Sequence, residues 1–141
     1  MSWDPSLDTG HPSIDREHRE LLAMLVDFKA IIDEAPGPRV VTALDTVRRK
    51  VADYFAYEER LMDAIGLQGT RDHRDAHTSY LADLQRSLDQ IQKSGINNTL
   101  RQWAHGRLNT WFRFHIKAYD IALARAVVEY ERTNGPVVRV T

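Results

Sequence analysis

Apolar residues recur at spacings of three and four along four stretches of the chain, the pattern of helices that each bury one face. Turn chemistry separates the stretches. Pro36-Gly37-Pro38 follows the first, Gly66 and Gly69 the second, Ser94-Gly95 the third, and Asn134-Gly135-Pro136 ends the last. The pattern predicts helices from an N-cap at Ser13 to about Glu34, from about Arg39 to Ala64, from Thr70 or Asp72 to about Ser94, and from Asn97-Asn98 to about Thr133. The last is long enough to require a kink or break within it. Short connections favour antiparallel neighbours. The expected fold is therefore all-α, an antiparallel up-down-up-down four-helix bundle with a short N-terminal arm and a C-terminal tail. One domain is expected over 1–141, with the bundle at about 13–133. Strand-like alternation is confined to the tail from Val137 to Val140.

The inward stripes carry the chemistry. They read Ile14, His18, Leu21, Leu25, Phe28, Ile32 in the first helix and Leu44, Val47, Val51, Tyr54, Glu58, Leu61, Ile65 in the second. The third gives His73, His77, Tyr80, Leu84, Leu88, Ile91. The fourth gives Leu100, Ala104, Leu108, Trp111, His115, then Tyr119 or Ala118, and Ala122. Each stripe is apolar except at one level, where it holds histidine, glutamate or tyrosine. A carboxylate buried among apolar side chains costs several kcal/mol unless something neutralises it.

A lone inward histidine is more often a hydrogen-bonded core residue than a ligand, and the i,i+4 pair His73/His77 also occurs on ordinary surfaces. Glu58 by itself reads as part of a solvated face. The conjunction across four facing helices is what points to a bound cation. Histidine and carboxylate without sulfur suit iron, manganese or zinc, and bridging carboxylates are the usual device of di-iron sites in bundle cores. Asp120 follows His115 by five residues, about 140° around a regular helix. Its arrival at the same site requires a π-bulge or local distortion. His11 and His105 read as solvated or structural. Trp111 reads as lining the metal pocket or as packing. Tyr57, Tyr80 and Tyr119 read as core or boundary residues, and Met24 and Met62 as gap fillers.

Bulk properties narrow the function classes. Nineteen basic residues against twenty acidic ones give a formal charge of −1, so no basic field attracts nucleic acid or anionic lipid. Cysteine is absent, which excludes disulfides, thiolate metal sites and thiol catalysis. No apolar stretch is long enough to span a bilayer, and the residues from Met1 to Pro5 show no secretory signal. These features lead us to expect a cytoplasmic protein with neither a nucleic-acid nor a membrane partner.

The ordered motifs resemble the hemerythrins, specifically the single-domain bacterial ones, over roughly residues 3 to 125. They are Trp3; Ile14-Asp15-Arg16-Glu17-His18-Arg19-Glu20-Leu21; Tyr54-Phe55-Ala56-Tyr57-Glu58-Glu59-Arg60-Leu61-Met62; His73-x-x-x-His77; and Trp111-Phe112-Arg113-Phe114-His115-Ile116-x-x-x-Asp120. The resemblance implies two iron ions. His73, His77 and His115 would hold one, and His18 with the residue at 54 the other. Glu58 and Asp120 would bridge them together with an oxo or hydroxo group; manganese or zinc are possible substitutes. The family's motif at this point is His-Phe-x-x-Glu-Glu, whereas this chain has Tyr54 in place of the histidine, at the iron where the family binds dioxygen.

Three readings of Tyr54 stay open: a phenolate ligand, a neutral phenol hydrogen-bonded to a bound oxygen species, or a filler of core volume. A multivalent cation favours phenolate, although free phenol has a pKa near ~10. The expected function is that of a non-haem iron protein that binds or reacts with dioxygen, for carriage, storage or sensing, rather than a dedicated enzyme. The alternatives are a redox enzyme acting on peroxide or nitric oxide, and a redox-sensing module that signals through a protein partner. The tail from Gly135 to Thr141 is a candidate docking segment for such a partner.

Overall fold

A computed structural model of the chain describes residues 3–137. The strand-like tail and most of the proposed docking segment, residues 138–141, lie outside the described residues. Helices α1 (Pro12–Glu34), α2 (Gly37–Ala64) and α3 (Arg71–Ser94) form three columns of an antiparallel bundle. The fourth column is interrupted. It consists of α4 (Asn98–His105), α5 (Arg107–His115), a π-helical turn (Ile116–Asp120) and α6 (Ile121–Asn134). Helix α1 packs against α2 and the fourth column, and α2 against α3. The four-helix, up-down-up-down architecture read from the sequence is the one observed.

Local chemistry sets the helix ends. Helix α1 starts two residues earlier than the Ser13 cap implies: Pro12 fits the first helical position, and His11 is the cap, its Nδ1 accepting from the Ile14 N–H at 3.3 Å. The opposite ring nitrogen of His11 contacts Glu131 Oε1 at 3.0 Å, so this histidine is structural. Asn97 caps α4 by accepting from the Leu100 N–H at 2.8 Å. Gly95 ends α3 at φ 76°, a conformation glycine adopts without Cβ strain.

The core follows the predicted stripes in the first three columns, except that Ile65 is only partly buried. The fourth departs from prediction. Phe112, not Trp111, is fully buried, and beyond His115 the buried positions are Ile116, Asp120, Leu123, Ala124 and Val127 rather than Tyr119 or Ala118 and Ala122. The extra residue in the π turn advances the stripe by one position. A short arm precedes α1, in which the Trp3 indole N–H donates to Asp8 and Arg19 covers the Trp3 ring. The Thr9 N–H and hydroxyl both donate to the buried Asp15. Among the described residues no helix is long and apolar enough to cross a membrane.

Candidate metal centre

The polar level of the four stripes forms one buried layer. His18, Glu58 and Asp120 are fully buried, His77 and His115 nearly so, and His73 has 6% of its surface exposed. Apolar residues one turn above and below hold these side chains away from water: Leu21 and Ile14 around His18, Leu61 around Glu58, and Tyr80 beyond His77. The π turn carries Asp120 inward. Five residues there complete a single turn, so His115 and Asp120 share a face that a regular helix would deny them. The distortion required by the spacing is thus present.

Ligand atoms from Glu58, His73, His77, His115 and Asp120 all lie within 4.8 Å of one another. Glu58 Oε1 is 3.0 Å from His77 Nε2, 3.7 Å from His73 Nε2 and 4.0 Å from His115 Nε2. Asp120 divides its two oxygens. Oδ1 is 2.9 Å from His73 Nε2 and 3.2 Å from His115 Nε2, while Oδ2 is 2.9 Å from Nε2 of His18. On that second side the Tyr54 hydroxyl lies 2.6 Å from the same His18 nitrogen. His18 and Tyr54 therefore stand together beside the five-residue cluster and join it through Asp120.

Several of these contacts are close without being satisfied. His73 Nε2, Asp120 Oδ1 and Glu58 Oε2 are buried and have no hydrogen-bond partner. At 2.9 Å the His73–Asp120 pair is within reach, yet the ring nitrogen is not aimed at the oxygen. The Nε2 atoms of His77 and His115 approach to 3.1 Å, a poor arrangement for two imidazoles unless a proton or cation sits between them. Buried polar atoms are normally paired. Donors that crowd together without pairing are the arrangement expected around a shared ion, and nitrogen and carboxylate donors at this spacing fit iron, manganese or zinc.

Burial and charge set the protonation states of the metal-free site. Burial opposes charge on His73, but its contacts with Asp120 and Glu58 outweigh that effect and raise its pKa to about 9. Burial likewise opposes ionisation of Asp120, and the imidazoles of His115, His18 and His73 overcome it, holding the carboxyl well below its usual range. Burial, reinforced by the charges of Glu58 and Asp120, pushes the Tyr54 phenol far up.

An aromatic sheath surrounds the layer. Phe55 stacks on His77 at 3.9 Å between centroids, Trp111 on His115 at 4.7 Å, and Tyr119 on His73 at 5.1 Å. Phe112 packs edge-on against His18 and tilted against Tyr54. Trp111 also stacks on Tyr80, whose hydroxyl donates to the Leu108 carbonyl across the bundle. Glu59, which belongs to no inward stripe, reaches behind His77 and places Oε2 2.8 Å from Nδ1. Arg74 flanks that carboxylate at 3.5 Å. The predicted stripes did not include Glu59, Phe55 or Phe112 among the residues around the layer. The adjacent carboxylates Glu58-Glu59 were the available signal for the first. His105 pairs with Asp33 on the surface, away from the layer.

No family model matches the chain. Among curated proteins it is similar to the bacteriohemerythrin of Pseudomonas paraeruginosa, 26% identical over 132 residues that span 90% of this chain and 81% of that protein. The bacteriohemerythrin of Stenotrophomonas maltophilia is 26% identical over 128 residues, with the same two coverages. The myohemerythrin of Riftia pachyptila is 29% identical over 101 residues, 72% of this chain and 78% of that one.

Proposed function

This chain is a relative of the hemerythrins, and on that premise we propose that it is a non-haem di-iron protein that binds or reacts with dioxygen. The observation that carries the reading is the division of Asp120, with one oxygen facing His73 and His115 and the other facing His18. A carboxylate so placed would serve two ions at once. His73, His77 and His115 would hold one iron, His18 and Tyr54 the other, and Glu58 and Asp120 both. The bound pair would supply the electrons that a dioxygen ligand draws on.

The protein's own residues prepare that chemistry. Glu59 accepts from the Nδ1–H of His77, which leaves Nε2 as the free donor and fixes the ring's orientation. Phe55, Trp111 and Tyr119 restrict the three rings of one end. Phe112 fills the space beside His18 and Tyr54 and keeps that end apolar. Buried histidines and carboxylates would then face the ions in surroundings where charge interactions are weakly screened.

Tyr54 favours a second reading, in which dioxygen, peroxide or nitric oxide reacts irreversibly. A phenolate is a hard anionic donor that holds the ferric state, whereas reversible carriage starts from the ferrous one. Oxygen uptake by anaerobically reduced protein tests both readings. Release of the bound oxygen under vacuum supports carriage, and immediate irreversible oxidation supports reaction. Protein that neither takes up oxygen nor is oxidised by it contradicts the proposal.

A further inference from the structure

We propose that the two ends of this centre select different ions, a divalent cation between His73, His77 and His115 and a trivalent cation between His18 and Tyr54. The inference deepens the di-iron reading and rests on it. It follows from the types of donor atom at each end.

At the first end, three imidazole nitrogens meet one oxygen each from Glu58 and Asp120, all within 4.8 Å. At the other, His18 Nε2 is the one nitrogen. Around it stand the Tyr54 hydroxyl at 2.6 Å and Asp120 Oδ2 at 2.9 Å. Glu58 lies one helical turn after Tyr54 on the same face of α2, and its Oε2 is buried without a partner. The first set is therefore three nitrogens and two oxygens, the second one nitrogen and three oxygens.

The two carboxylates are common to both ends and cannot discriminate between them. Selectivity falls on the difference, two additional imidazoles at one end against a phenol oxygen at the other. Imidazole suits divalent first-row ions such as zinc, while oxygen donors suit harder ions. A trivalent ion is harder still and gains more from an oxygen-rich set. The sheath reinforces the asymmetry. Three of its stacked rings lie on the nitrogen-rich histidines, and Glu59 strengthens His77 as a donor at that end.

Redox-silent ions test the proposal without any turnover. Metal-free protein is loaded with zinc(II) alone, and then with zinc(II) together with gallium(III) citrate, and the ions bound per chain are counted by native mass spectrometry. The expected result is one tightly held zinc, a second zinc weaker by about tenfold or more, and one zinc plus one gallium from the mixture. Tyr54→Phe should keep the zinc and lose the gallium. Tyr54→His should take two zinc ions of like affinity. Circular dichroism confirms that each variant remains helical. Two zinc ions of equal affinity in the unaltered protein, or gallium retained by Tyr54→Phe, would overturn the selectivity but leave a two-ion site standing. A chain that binds neither ion would overturn the di-iron reading as well.

Discussion

The Tyr54 hydroxyl lies 2.6 Å from Nε2 of His18, the same nitrogen that Asp120 Oδ2 approaches to 2.9 Å. One imidazole nitrogen has a single proton or a single lone pair to offer. It cannot satisfy both neighbours on equal terms, and the opposite nitrogen, Nδ1, is buried without a partner. A cation between the three donor atoms removes the conflict. Tyr54 would then be a ligand rather than a filler of core volume.

Iron(III) bound by Tyr54 should give the oxidised protein a visible charge-transfer band from phenolate to metal. Tyr54→Phe should abolish that band. Visible spectra of the two ferric proteins decide the matter, and an unchanged band rejects coordination by this residue.

Loss of the acceptor behind His77 should weaken metal binding without unfolding the bundle, because Glu59 is partly exposed. Partners of this kind typically contribute about 10–100-fold in affinity. Chelator competition with zinc should show that loss in Glu59→Leu and a smaller one in Glu59→Gln, which keeps an oxygen for the Nδ1–H. Equal affinities in all three proteins would show that the contact does not orient the ring.

pH should act in opposite directions on the fold and on the metal. In the metal-free protein His73 has a pKa of about 9, above its ordinary 6.5. A raised pKa means that the folded state holds the proton more tightly. The stabilisation is complete below the ordinary value and is lost as pH rises through about 9. A metal ion must displace the same proton, so affinity should climb over that interval. Thermal melts of metal-free protein and zinc competition, each followed from pH 6 to about 9.5, should show opposite slopes. Parallel slopes would contradict the assignment of His73.

Phe112 joins the core to the metal layer. It is fully buried and packs against the rings of His18, Tyr54, Phe55 and His115. Phe112→Ala should cost about 3–5 kcal/mol in chemical denaturation of the metal-free protein. A loss below about 1 kcal/mol would mean that the cavity collapses with little strain.

Much of this was legible in the sequence, for an identifiable reason. Helical periodicity exposes a polar residue in an apolar stripe, so His18, Tyr54, Glu58, His73, His77 and His115 stand out in the sequence. Asp120 required more, since a spacing of five conflicts with a regular helix. Periodicity could ask for a distortion but could not extend the stripe through it. That is why Tyr119 or Ala118, and then Ala122, were expected inside where Asp120 and Leu123 are found. Glu59 was hidden for a different reason. It approaches His77 from outside the stripe, and one-dimensional spacing does not reveal what stands behind a ring. His11 was legible as solvated or structural but not as the cap of α1, because the imidazole acceptor competes there with the more familiar serine.

Metal analysis of protein reconstituted anaerobically with ferrous iron, then exposed to air and freed of loosely held ions, tests the central claim most directly. The account predicts two iron atoms per chain. Protein that emerges folded but free of iron would contradict the claim that these histidines and carboxylates gather around ions, and a ratio of one would contradict a paired site.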